Sequence, residues 1–83
     1  MVTYFVVQPF QTGKRGALLA DPAVQATSEE HASRMAERMS RHKAGVVAFS
    51  RTGDPVTGEY EDAQIIAVYG SVPSEVSETM QAA

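Results

Sequence analysis

Five charged residues crowd one short stretch of this chain: Arg51, Asp54, Glu59, Glu61 and Asp62. Paired carboxylates beside an arginine can exchange protons or hold a cation. Glu59 and Glu61 would point to the same side of a strand, since side chains alternate with a period of two. The spacing does not make a calcium loop, because no Asp-x-Asp-x-Asp-Gly run is present and the acids do not recur at alternate positions from Asp54. The simpler reading is a solvated hairpin tip with Arg51 in an exposed ion pair.

Other reactive types are scattered. Thr12-Gly13-Lys14-Arg15-Gly16 holds a Gly-Lys pair, but Gln8 stands where a phosphate loop needs its first glycine and Arg15 where it needs Ser or Thr. It reads as a basic turn. Arg34, Arg38 and Arg41 recur at helical spacing and share one face, which could meet phosphates. Glu30–Arg34 and Glu37–Arg41 spacing also suits ordinary ion pairs on a solvated helix. No aromatic residue interleaves with these bases, so no base-stacking platform is visible. His31 and His42 are too far apart on one helix to share a metal, and none of the serines sits in a Gly-x-Ser-x-Gly elbow. With no cysteine, disulfides and thiolate metal sites are excluded. No nucleophile–base pair, metal set or cofactor fingerprint can be assembled. The expectation is a protein that is not an enzyme and carries no cofactor.

The elements that position these residues are legible from pattern. Val2–Gln8 is β-branched and aromatic, a strand expected to end at Pro9. Ala17–Ala20 is a second strand, broken at Asp21-Pro22 and continued through Ala23–Ala26. Thr27 reads as a helix N-cap, with Glu30 three residues on completing a capping box. The helix is expected over Ser28–Lys43. Ala32, Met35, Ala36 and Met39 form its apolar stripe, and Gly45 ends it. Val46–Phe49 is the third strand. Asp54-Pro55 starts a turn, Gly58 permits a left-handed exit, and Gly58–Tyr69 returns as the fourth strand. A tip centred on Val56 sets Val47 opposite Ile65 and Phe49 opposite Ala63. Residues 71–83 read as a flexible tail or a marginal helical turn after Pro73.

The expected fold is therefore α+β in the order β-β-α-β-β: a four-stranded, mainly antiparallel sheet with one helix on one face. The 83 residues make a single domain, ordered over about 2–70. One helix covers one sheet face, yet Val46–Phe49 and Ile65–Tyr69 are apolar on both faces, where a sheet with one wet face should alternate. A second copy of the chain is the simplest cover, so a homodimer is expected.

Charge is uneven. Residues 1–51 hold all seven Lys and Arg against four acids, a net of +3; residues 52–83 hold six acids and no base, a net of −6. Such asymmetry can mark a basic surface for an anionic partner. The plainer reading is two halves that neutralise each other across the fold or across a dimer. Seven bases are few for a nucleic-acid binder, so nucleic acid is not the expected partner. No run approaches the roughly 20 apolar residues of a membrane span, and Met1–Phe10 lacks the basic leader of a signal peptide. The expected location is cytoplasmic.

The run Ala48-Phe49-Ser50-Arg51-Thr52-Gly53-Asp54-Pro55, continuing to Gly58-Glu59-Tyr60, resembles a family of small alphaproteobacterial proteins of unknown function, with Tyr4–Pro9 adding to the likeness. The resemblance implies a bacterial origin and brings with it no known activity and no site residues. The expected function is a small protein-interaction module that self-associates, with Arg51, Asp54 and Tyr60 as partner-binding residues. The rival is weak nucleic-acid binding through Lys14, Arg15, Arg34, Arg38 and Arg41.

Overall fold

The computed structural model describes residues 1–74. One helix packs on a curled, antiparallel sheet of six strands. The elements are β1 (Val2–Thr12), a 3-10 turn (Lys14–Gly16), β2 (Leu18–Ala20), β3 (Val24–Ala26), α1 (Glu29–Met39), β4 (Gly45–Asp54), β5 (Glu59–Tyr60) and β6 (Gln64–Gly70). The α+β class and the β-β-α-β-β order hold. The count of four strands is corrected, because the second and fourth are each broken in two. The expected tail lies mostly outside the described residues.

Two long central strands carry the sheet. β1 pairs with β4 from Val2–Gly53 to Phe10–Gly45. β2 and β3 follow one another along the far edge of β1, and β5 and β6 along the far edge of β4. β3 and β4 therefore run parallel with β1 between them, and α1 makes the crossover.

β1 does not stop at Pro9, contrary to expectation. A proline lacks the N–H that a ladder needs. Its carbonyl accepts from Asp21 N–H at 3.0 Å. A strand residue presents its N and C=O to the same edge, so the missing donor faces the break between β2 and β3. Proline is tolerated here because Asp21-Pro22 has already interrupted the neighbouring strand. Gln8 Nε2 spans the same break, donating to the Pro9 carbonyl at 2.9 Å and to that of Asp21.

The helix begins one residue later than the capping-box pattern implies. Ser28, not Thr27, is the N-cap, and its Oγ accepts from His31 N–H at 3.0 Å. The reciprocal contact comes from His31, not Glu30. Its Nδ1 accepts from Thr27 N–H at 3.1 Å. The imidazole thus satisfies the N–H one residue before the cap, where the glutamate of the usual box bonds that of the cap itself. The helix also ends early, with Ser40 as C-cap. Residues 40–43 turn back, His42 and Lys43 both donating to the Met39 carbonyl. Gly45 does not end the helix; it opens β4.

The long hairpin is longer on its return arm. Gly53 faces Tyr60, Ser50 faces Gln64 and Ala48 faces Ala67. Each step towards the base adds a residue to the return side, at Glu61–Ala63 and again at Ile66. Phe49 consequently faces Ile65 and Val47 faces Val68, not the partners that a regular hairpin centred on Val56 provides. Bulges absorb such extra residues and bend the strand.

The core lies between α1 and one sheet face: Val7, Ala26, Ala32, Ala36, Val46 and Ala48 are buried together. Met35 and Met39 pack against it half-buried. The Ile66 bulge explains why β6 is apolar throughout. It sends Ile66 to the helix side while Ile65 shares the opposite face with Phe49. On that opposite face Val47 and Phe10 are buried, at 3% and 7% exposure, without a second layer. Val6, Phe49, Ile65 and Val68 are only partly buried there.

Lys43 Nζ meets Asp21 Oδ2 at 2.6 Å, the one ion pair among the described residues, and Gln11 Nε2 donates to the same carboxylate. The Lys43 hydrogen bond, then that of Gln11, holds the Asp21 carboxyl below its ordinary range, against a smaller opposing effect of desolvation. A carboxyl held lower in the folded than in the unfolded chain stabilises at neutral pH. That contribution fades as pH falls below the ordinary value of about 4. Asp21→Asn is expected to flatten the acid limb of the stability curve, read as urea midpoints between about pH 2 and pH 7. An unchanged limb would remove the pair from the account.

Candidate functional site

The hairpin brings together two of the three expected partner-binding residues and adds a third that sequence did not flag. Arg51 is exposed on β4, on the sheet face away from the helix. Directly opposite it on β1 stands Tyr4. Two residues further along β4, Gly53 faces Tyr60 of β5. The Arg51 guanidinium lies 5.4 Å from the Tyr60 ring centroid, within cation–π range. The Tyr4 and Tyr60 rings are 6.3 Å apart and tilted by 42°, a spacing at which aromatic pairs attract.

Gly53 makes this arrangement possible. A Cβ there would collide with the Tyr60 ring and the Glu59 carbonyl. The ring therefore rests on bare backbone, filling the space that the glycine leaves. Glu61 N–H donates to the Thr52 carbonyl at 2.8 Å, which pins the strand carrying Tyr60. Desolvation first, and the neighbouring Tyr4 second, push the Tyr60 hydroxyl above its ordinary range. The phenol is therefore protonated at physiological pH and can both donate and accept a hydrogen bond.

Asp54 serves the turn. Its Oδ1 accepts from Val56 N–H at 2.9 Å, and its carbonyl accepts from Gly58 N–H at 2.8 Å. Gly58 takes φ +78°, a conformation that glycine adopts without strain. Glu59, Glu61 and Asp62 are exposed, and among the described residues no group of three ligating side chains could hold a metal.

The basic residues occupy a different region. Lys14 and Arg15 lie in the β1–β2 turn, Arg15 with φ 61°. Arg34, Arg38 and Arg41 are exposed along and just past α1. Ala44 N–H donates to the Phe10 carbonyl, which fixes the end of the helix segment beside the end of β1. Lys14, Arg15, Arg38 and Arg41 thus gather at one end of the sheet. The acidic hairpin is at the other, beyond the Val2–Gly53 pair. The two charged halves do not face each other within the fold.

No protein-family model matches the chain, and no curated protein or solved structure matches it either. No helix among the described residues is long and apolar enough to cross a membrane.

Because its ring covers Gly53, Tyr60 should shift the Gly53 Hα protons upfield in the NMR spectrum. Tyr60→Ala is expected to return them to ordinary values. Gly53→Ala should do the same to the Tyr60 contacts and lower stability, by more than the roughly 0.5–1 kcal/mol that relieving a strand glycine gains. A stabilised Gly53→Ala variant would contradict the packing.

Proposed function

We propose that this chain is a small, non-enzymatic protein-interaction module that self-associates through the sheet face away from its helix. One observation carries the reading. Val6, Phe49, Ile65 and Val68 are only partly covered on a single face that no second layer packs against, continuous with Tyr4 and the exposed Arg51 and Tyr60. Large exposed apolar patches are uncommon on soluble monomers. Tyrosine and arginine are enriched among the residues that dominate binding energy. β6 offers a secondary route. It is bonded only to β4 among the described residues and carries no charge from Gln64 to Gly70, so an extended segment could add to its edge.

Light scattering at micromolar concentration tests the proposal. The expected mass is twice the 8.9 kDa of one chain. Phe49→Lys is expected to reduce it to one chain while circular dichroism stays unchanged. A single-chain mass at every concentration would end this reading.

The rival reading, weak nucleic-acid binding, is favoured by the gathering of Lys14, Arg15, Arg38 and Arg41 at one end, with Arg34 further along the helix. Against it stand the overall negative charge and the absence of an aromatic residue among these bases. Titration with mixed-sequence DNA and RNA at two salt concentrations is expected to show no specific binding. Salt-sensitive binding that disappears when Arg34, Arg38 and Arg41 become alanine would put the rival first.

A further inference from the structure

We infer that two copies pack open face to open face in antiparallel orientation, so that the acidic end of each lies against the basic end of the other. The inference rests on the self-association proposed above and adds its geometry. It comes from the distribution of charge along the strands. β4 is ten residues long, which separates its ends by about 33 Å. At its Gly45 end the β1–β2 turn carries Lys14 and Arg15, while Arg38 and Arg41 stand at the same end on the helix side of the sheet and Lys43 is paired with Asp21. At its Asp54 end stand Asp54, Glu59, Glu61 and Asp62, with Arg51 the one Lys or Arg near them among the described residues.

Between the two ends the open face is uncharged. Val6, Gln8, Val47, Phe49 and Val68 follow one another until Arg51 is reached. A second copy laid over this face in the same direction would set acids on acids and bases on bases. The reversed copy sets unlike charges together at both ends at once. A two-fold axis across the strands generates that arrangement, and two-fold dimers are the commonest assemblies. The uncharged middle supplies buried apolar area, and the ends supply orientation. The Debye length is about 8 Å at physiological salt, so the end contacts act only when the copies touch.

Charge reversal tests the geometry in the full-length chain, with dissociation constants measured by analytical ultracentrifugation at two salt concentrations. Lys14→Glu with Arg15→Glu, and separately Glu61→Lys with Asp62→Lys, should each weaken the dimer by roughly tenfold or more. Mixing the two variants should restore association, since both end contacts are then attractive again. The chain carrying all four substitutions should recover a homodimer, which also controls for folding. Added salt should weaken the wild-type dimer. A wild-type dimer indifferent to salt and to both reversals would overturn the antiparallel arrangement and leave self-association standing. A mass that climbs past two copies would mean end-to-end chaining and would also overturn it. A monomer throughout would remove both readings.

Discussion

A missing hydrogen-bond donor organises this molecule. Pro9 stands inside one of the two central strands, where its neighbour must do without one N–H. The neighbouring strand breaks there, at Asp21-Pro22. The break frees Asp21 to turn its carboxylate towards the helix segment, where Lys43 reaches it at 2.6 Å. The amides of Gln8 and Gln11 reach the same residue. The end of the helix segment is thereby tied to the sheet where the strand beside β1 is broken. A local deficit in β1 sets where the crossover returns, and so where β4 begins.

The opposite end of the sheet is held by a different device. There the packing is aromatic and one-sided: two tyrosines and an arginine crowd over a glycine, beyond the reach of α1. The helix side of the sheet is closed by small residues, Ala26, Ala32, Ala36 and Ala48, which let the helix approach closely. The other side is closed only where Val47 and Phe10 are buried. The molecule is thus finished on one face and unfinished on the other, with Lys14 and Arg15 at one end of the sheet and the acidic hairpin at the other.

Much of this was legible in the residues. The helix stripe was read correctly, since the Ala32 and Ala36 repeat lies at the core contact. The break at Asp21 was visible because proline announces itself. The hairpin tip, with Asp54 bonding its own turn, follows from Asp-Pro. Three features could not be read. Thr27 and Ser28 can both cap by type, and the capping-box spacing to Glu30 favours Thr27, whereas the folded chain uses Ser28. The bulges at Glu61–Ala63 and Ile66 depend on which face each side chain finds, which a run of apolar residues does not encode. Tyr4 joined the site through strand pairing with Arg51, and nothing local in Tyr4 signals a partner so distant along the chain.

The extra residue at Ile66 bears on how this hairpin can change in length. Within a regular strand, losing one residue throws every later side chain onto the wrong face. At a bulge the alternation is already interrupted. Removing Ile66 would let Ala67 and Ile65 follow one another in step with Ala48 and Phe49, at the cost of one partly buried side chain. Length variation among descendants of this sequence would therefore concentrate on the return arm of the hairpin. β1 and β4, paired residue for residue, would keep their lengths.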